Sequence, residues 1–320
     1  MKSLDTLKLD LTNVCNEQCF FCPYHGDNGE VSRNGERHRS IEMLSHDDVT
    51  KVLFSLKEGG EKIRRVKLSG SGEATLHPQF GDIIRTIKGT GVFIKLITNG
   101  TTLGRNAELI RANIDDLTVS VHGNEQVHNQ IVGLRTAFQR VTKGLNILLQ
   151  GSNDSPHMQL SYVMNGENLE VTEDIMRLSK TFNIPVVFYF DFNPSDHRPV
   201  NIPKLLEAVR KIRAQGFQVS PALDEANIKR FFSGEIFLLD PYSCDHVERE
   251  IEILASGDVY VCRSEVWGNI HHQDILTILR GEGRHKFLRI INQETKSECG
   301  LNEKRCDRCC YQNPITFISQ

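Results

Sequence analysis

The chain has 320 residues, 39% of them hydrophobic and 25% charged, with a net charge of −3. That length builds one large core, or a core plus a smaller unit, and the balance gives no basic surface for nucleic acid or acidic lipid. No apolar run reaches the ~20 residues that span a bilayer, and the opening "MKSLDTLKLDLTN" alternates charged and apolar residues, unlike a signal peptide. The expectation is a cytoplasmic protein with neither nucleic acid nor membrane as a partner.

The first predicted strand, "DTLKLDLT" (5–12), runs directly into "CNEQCFFCPY", which places Cys15, Cys19 and Cys22 on one short loop. "SHDDVTKVLFSLKE" follows as an amphipathic helix, with Ser45 as N-cap and two acids behind it. Strands are predicted at 63–70, 91–98, 114–121, 158–164 and 185–192, with helical stretches such as "AFQRVTKGLNILLQG" between them. Strands alternating with helices imply parallel βαβ units. Six units are too few for a closed eight-strand barrel. The reading is a partial barrel or an open doubly wound sheet over residues 1–215. After residue 215 the pattern changes. "DPYSCDHVEREIEILASGDVYVCRSEVWGNI" reads as a hairpin turning at "ASGD", "QDILTILRGE" as a helix, and "CGLNEKRCDRCCYQNP" as a tail with too few apolar residues to fold unaided. Residues 216–320 are therefore read as a second, small unit.

In parallel α/β folds, function gathers at the C-terminal ends of the strands. The cysteine loop lies there, and so do "SGSGEATLHP", "TNGTTL" and "SVHG", which follow the second, third and fourth strands. The nine cysteines fall into two groups: Cys15, Cys19 and Cys22 at one end, and Cys244, Cys262, Cys299, Cys306, Cys309 and Cys310 at the other. An odd count in a reducing compartment fits disulfides poorly and favours metal ligation or redox chemistry. Two readings of the first group stand. Zinc is one, with His25 as a fourth ligand. The other is a [4Fe–4S] cluster held by three thiolates with one iron open. At the other end, Cys244 and Cys262 bracket the hairpin and Cys306 and Cys309 return from the tail, so that four thiolates can close around zinc or a cluster.

The spacing C-x3-C-x2-C, with Phe21 just before the last cysteine and directly after the first strand, resembles the signature of radical S-adenosylmethionine (radical SAM) enzymes. The resemblance covers residues 5 to about 192 in element order. Gly70-Ser71-Gly72-Glu73 resembles the family's glycine–glutamate turn. The turns with Asn99 and Ser120 resemble those lining the SAM pocket. "LRTAFQRVTKGLNILL" resembles the helix that supplies an arginine to the SAM carboxylate, here Arg140, with Arg135 as second choice. The family's glycine motif near the fifth strand is weak in "YVMNGEN". The C-terminal unit resembles the twitch domain, the shortened SPASM domain that holds one auxiliary [4Fe–4S] cluster.

The resemblance implies a partial (β/α)6 TIM-like barrel with a small C-terminal cluster-binding domain, a β-hairpin plus helix. It implies SAM and a [4Fe–4S] cluster on Cys15, Cys19 and Cys22, and an auxiliary [4Fe–4S] cluster on Cys244, Cys262, Cys306 and Cys309. An electron donor such as flavodoxin or ferredoxin follows as a partner. A 5′-deoxyadenosyl radical would take a hydrogen atom from a small polar substrate. The signature begins at residue 15, which leaves no room upstream for the leader-binding domain of many peptide-modifying relatives. That expectation favours an amino sugar, an aminocyclitol or a similar molecule, oxidised at a carbon. Asp191, Arg263 and Glu265 are candidate substrate contacts, and His122 stands at the same rim. Epimerisation is the alternative, with Cys299 or Cys310 as hydrogen donor. A peptide modifier whose leader is recognised elsewhere, and a non-catalytic iron–sulfur or zinc protein, are further readings.

Overall fold

The apolar runs become strands and the amphipathic stretches become helices in a computed structural model that describes residues 4–26, 40–151, 156–191, 199–233, 246–261 and 266–292. In chain order the elements are β1 (Thr6–Leu9), α1 (His46–Glu58), β2 (Arg65–Leu68), α2 (Phe80–Gly89), β3 (Phe93–Thr98), α3 (Leu103–Asn113), β4 (Asp116–Ser120), α4 (Glu125–Val132), α5 (Ala137–Leu149), β5 (His157–Met164), α6 (Thr172–Phe182), β6 (Val186–Phe190), α7 (Ile202–Ala214) and β7 (Gln218–Ser220). There follow α8 (Glu225–Phe232), α9 (His246–Arg249), β8 (Glu250–Ile253), β9 (Asp258–Tyr260), β10 (Val266–Asn269), α10 (Ile275–Leu279) and α11 (Glu282–Asn292).

All the strands among the described residues join one open sheet, in the order β10-β9-β8-β1-β2-β3-β4-β5-β6-β7. It is parallel from β8 to β7, while β9 and β10 run antiparallel. All six strands read from the sequence form. So does the hairpin, whose turn at "ASGD" joins β8 to β9. Two features escape the sequence pattern. The short strand β7 extends the sheet past residue 215 by pairing with β6, and β8 does not merely form a hairpin but pairs in parallel with β1. Both predicted units thus share one sheet.

Local chemistry explains the elements. Ser45 and Asp48 form a reciprocal capping box at the start of α1, which satisfies donors that the first turn leaves unpaired. Successive strand residues point to opposite faces. One set, including Leu7, Leu9, Val66, Leu68, Ile94, Leu96, Leu117 and Leu160, is fully buried under the helices. Each such side chain contributes on the order of 1.5–3 kcal/mol by leaving water.

The other set lines the inner face and is polar. Glu252, Lys8, Lys67, Lys95, Asp116 and His157 occupy successive register positions across β8, β1, β2, β3, β4 and β5. Lys8 pairs with Glu252 at 2.7 Å, Lys95 with Asp116 at 3.0 Å, and Lys67 with Glu250. A row of half-buried ion pairs is not how a filled apolar barrel is built. It suits a face that receives something polar. No helix among the described residues is long and apolar enough to cross a membrane.

Candidate functional site

The loop after β1 is held from two sides. On one side it docks on α4: the Gln18 N–H donates to Val132 O at 2.9 Å and the Phe20 N–H to Ile131 O at 3.2 Å, while Phe20 buries itself against Ile131, Val132 and Ala137. Gly133 ends α4 at φ +66°, in the left-handed region that glycine enters without strain. On the other side the β2 turn presses on the loop's backbone. The Glu73 N–H donates to Val14 O at 2.8 Å, and a Cβ on Gly72 would stand 2.3 Å from Thr12 O and 2.5 Å from Val14 O. Gly70 likewise gives way to the carboxylate of Asp10. The glycines of "SGSGE" are therefore there for close approach.

Backbone and side-chain donors face the thiols. Glu17 N–H lies 3.5 Å from Cys15 Sγ, Tyr24 N–H and His25 N–H each lie 3.4 Å from Cys22 Sγ, and Asn99 Nδ2 lies 3.8 Å from Cys15 Sγ. Burial pushes the Cys15 thiol up to about 12 and Cys19 well above the usual range. Such sulfurs ionise when a cationic centre binds them, and inward N–H groups then stabilise the thiolates. A single ion needs its donors within roughly 2.0–2.3 Å of one point, and no three donors among the described residues converge so closely. A four-iron cluster takes its thiolates on separate irons, so the donor set fits a cluster. His25 Nε2 donates to Ser71 O at 2.8 Å, which ties the cysteine loop to the β2 turn.

Around the loop the rim is braced from within. Asp10 Oδ2 accepts from the Ser71 N–H at 2.8 Å and the Ser71 hydroxyl at 2.5 Å, and burial raises its carboxyl to about 6. Glu73, 3% exposed, uses both oxygens. Oε1 accepts from the Thr75 N–H and hydroxyl and from the Thr98 hydroxyl at 2.8 Å, and Oε2 accepts from the Asn99 N–H at 2.7 Å. Asn99 in turn donates to Asn16 Oδ1 at 2.8 Å and accepts from Thr101. The glycine–glutamate turn, the Asn99 turn and the cysteine loop are thus one hydrogen-bonded unit. Glu17 is a second buried carboxyl in the loop. Burial first, then the negative charge of Glu73, raise it to about 8.

Ser120 ends β4 opposite Ser161 of β5, and neither hydroxyl has a hydrogen-bond partner among the described residues. Asp191 is buried just beyond β6, its N–H donating to Met164 O. Arg140 and Arg135 are exposed, on α5 and the turn before it, and no hydrogen bond or ion pair joins their side chains to the described residues. Cys244, Cys262, Cys299, Cys306, Cys309, Cys310, Arg263 and Glu265 lie outside the described residues.

The sequence places His122 at the rim, and the structure packs it there with His128. The His122 ring meets Phe21 of the cysteine loop edge to face, centroids 5.0 Å apart. Its Nδ1 accepts from the Val163 N–H at 3.3 Å, and its own N–H donates to His128 Nδ1 at 3.1 Å. The aromatic before the last cysteine is the available signal, since it needs a partner. Burial holds both rings neutral, His122 at about 3 and His128 at about 4. Folded values below the unfolded ~6.5 mean stability is full above that pH and lost as pH falls. His128 alone accounts for roughly 3 kcal/mol between pH 6.5 and 4. Urea unfolding of the cluster-free protein should show a wild-type midpoint that loses ground to that of His128→Gln between pH 7 and pH 5, while Glu17 and Asp10, raised by burial, shift both proteins alike. An equal pH dependence of the two midpoints would refute the assignment.

Residues 9–179 match the Radical SAM superfamily, and residues 244–310 match SPASM, an iron–sulfur cluster-binding domain. A probable GTP 3′,8-cyclase of Saccharolobus islandicus (strain M.14.25 / Kamchatka #1) is 29% identical over 299 residues, covering 88% of this chain and 89% of the relative. One from Sulfurisphaera tokodaii is 25% identical over 292 residues, covering 88% and 87%. Among solved structures, SuiB of Streptococcus suis bound to S-adenosylmethionine superposes with a TM-score of 0.66 at 13% identity, covering 97% of this chain and 74% of that one. At that identity the likeness speaks for the fold.

Proposed function

The chain belongs to the radical SAM superfamily, and from that premise we propose that it dehydrogenates a small hydroxylated molecule, an amino sugar, aminocyclitol or similar compound, at one carbon. S-adenosylmethionine, the [4Fe–4S] cluster that binds it and an auxiliary iron–sulfur cluster are its cofactors. When bound, they supply a 5′-deoxyadenosyl radical for hydrogen-atom abstraction and an acceptor for the substrate's remaining electron.

In this reading Cys15, Cys19 and Cys22 hold the first cluster. The backbone of Gly70, Ser71 and Gly72 together with Asn99 shapes the seat for the methionine part of SAM, Ser120 donates a hydroxyl, and Arg140 pairs with the carboxylate. Glu73 acts through the turn it braces, because both of its oxygens are taken. Asp191 binds a substrate amine or hydroxyl. Residues 1–215 form the catalytic part, and residues 216–320 carry the auxiliary cluster on Cys244, Cys262, Cys306 and Cys309, with Arg263 and Glu265 beside the substrate.

The observation that carries the proposal is the polar inner face of the sheet. A second reading has a specific observation in its favour: the similar curated proteins are named for GTP, and three lysines stand abreast on that face. Each of those lysines is answered by a carboxylate, however, so the row offers no surplus positive charge to a triphosphate. A neutral or zwitterionic polyol meets it better, trading hydrogen bonds without leaving buried charge unpaired.

Single turnover in D2O, run separately with aminocyclitols, amino sugars and GTP, tests this. Substrate-dependent 5′-deoxyadenosine with a product two mass units lighter supports dehydrogenation. A product one unit heavier with inverted configuration shows that a solvent-exchanged thiol, Cys299 or Cys310, returned the hydrogen, and the enzyme is then an epimerase. 5′-Deoxyadenosine formed with GTP and not with the aminocyclitols or amino sugars supports the second reading instead.

A further inference from the structure

The inner face of the sheet differs from one edge to the other. Going from the row of ion pairs toward the rim, each strand presents its next inward residue two positions on. On β1 that residue is Asp10, whose buried carboxylate already accepts from Ser71. On β3, β4 and β5 it is Ile97, Thr118 and Gln159, which stand in one register line. Tyr189 of β6 joins that line, because Gln159 Nε2 donates to its hydroxyl at 3.3 Å. Lys95, Asp116, Gln159 and Tyr189 are each half-buried, so a ligand on the inner face can reach them. Ile97 is 39% exposed, an apolar surface in an otherwise polar wall.

The fold leaves hydrogen-bonding capacity on this wall unused. Lys95 Nζ donates to Asp116 Oδ2 at 3.0 Å, whereas Asp116 Oδ1 has no described partner nearer than His157 Nδ1 at 3.9 Å, beyond hydrogen-bond reach. Among the described residues, Gln159 Oε1 accepts from none and the Tyr189 hydroxyl donates to none. Thr118, between them, is buried with no partner for its hydroxyl. Burial raises the Tyr189 phenol above its ordinary range, and the Asp116 charge adds to this, so the phenol keeps its proton and stays a donor. Two acceptors and a donor are therefore left to be satisfied from outside the protein. Charge decides by what. Lys95 and Asp116 already neutralise one another, so an ammonium or a phosphate would enter without a counter-charge, and a hydroxyl pair would not need one.

We propose that Asp116, Gln159 and Tyr189 form a charge-neutral subsite that takes a vicinal diol of the substrate. One hydroxyl donates to Asp116 Oδ1. Its neighbour donates to Gln159 Oε1 and accepts from the Tyr189 hydroxyl, while the ring that bears them lays its C–H face on Ile97. Gln159 lies two residues before Ser161, which stands level with Ser120 at the rim. At about 3.3 Å per residue that is roughly 7 Å below the rim. A sugar-sized ring fills such a depth, so the diol belongs to the end of the substrate away from the carbon that reacts. The inference rests on the reading of the substrate as a small hydroxylated molecule, and it narrows that reading to one whose diol survives the reaction. These residues hold the substrate and set its specificity; no bond forms or breaks on them.

The test uses the full chain with its clusters reconstituted and SAM bound, kept unreduced so that nothing turns over. Titration calorimetry reads the binding of glucosamine, 2-deoxystreptamine and myo-inositol to wild type, Tyr189→Phe and Gln159→Met. Each substitution keeps the bulk of the side chain and removes its polar atoms. The expected result is a probe that binds wild type and loses about three- to tenfold in affinity in each variant, with SAM affinity unchanged. Among the monodeoxy analogues of that probe, one should bind wild type as weakly as the parent binds Tyr189→Phe and lose nothing further in that variant. Unchanged affinity in both variants, further loss of every monodeoxy analogue in Tyr189→Phe, or a wild type that binds none of the probes, would each overturn it. Reduction and single turnover then separate the subsite from the reaction. A probe that binds through its diol and yields no 5′-deoxyadenosine leaves the subsite standing and removes the dehydrogenation reading. A probe that is dehydrogenated with equal affinity by wild type and both variants keeps that reading and overturns the subsite.

Discussion

Replacing Cys15, Cys19 and Cys22 together by alanine removes one [4Fe–4S] cluster and all reductive cleavage of SAM, while the auxiliary cluster survives. The three sulfurs share one loop, and the N–H groups of Glu17, Tyr24 and His25 are aimed at them. Asn99 completes that ring of donors. None of the six remaining cysteines lies in this loop. The loop itself should keep its path, because its hold on α4 runs through Gln18, Phe20 and the backbone and not through the sulfurs. The variant is therefore expected to fold and to retain roughly half its iron, with absorbance and paramagnetic signals from one remaining cluster. Any 5′-deoxyadenosine formed from SAM by the triple variant would sink the assignment. Loss of all iron would mean that the auxiliary cluster depends on the first.

Much of this architecture is legible in the amino-acid sequence. Strand runs such as "GVFIKLIT" alternate so clearly that their place in the sheet follows from period and flanking turns. Ser45, followed by two acids, announces its capping box. The cysteine spacing and the turns after the second to fourth strands place the rim. The strand β7 is not legible, because three residues, Gln218–Ser220, are too few to show a period. Nor is the parallel pairing of Thr6–Leu9 with Glu250–Ile253, a long-range contact that leaves no local mark. The same limit hides Phe21 against His122 and the docking of Phe20 on Ile131, since both join residues about a hundred positions apart. Glu73 shows a subtler limit. The turn is recognisable by its residues, but whether its carboxylate faces a ligand or the protein depends on Thr98 and Asn99, which arrive on another strand.

That distinction separates Glu73 from Arg140 experimentally. Glu73→Ala should destabilise the cluster-free protein by about 4 kcal/mol. It strips the acceptors from two buried backbone N–H groups, those of Thr75 and Asn99, and from the hydroxyls of Thr75 and Thr98. Each orphaned donor costs on the order of 1–3 kcal/mol, and the hydroxyls rotate to recover part of it. Glu73→Gln keeps Oε1 but turns an amide toward the Asn99 N–H, so it should cost roughly half as much. Asn99 then loses its anchor and with it the approach to Cys15 Sγ, so SAM affinity falls as a consequence of the loosened rim. Arg140→Ala should behave in the opposite way. Its side chain is exposed and unpartnered among the described residues, so stability should stay within about 0.5 kcal/mol of wild type. Losing one charge-assisted hydrogen bond of roughly 1.5–3 kcal/mol should raise the SAM dissociation constant about ten- to a hundredfold with iron content intact. Urea unfolding of the cluster-free variants and equilibrium dialysis of SAM on the reconstituted ones read the two effects independently. A Glu73→Ala protein as stable as wild type refutes the brace. An Arg140→Ala protein with unchanged SAM affinity removes Arg140 from the pocket.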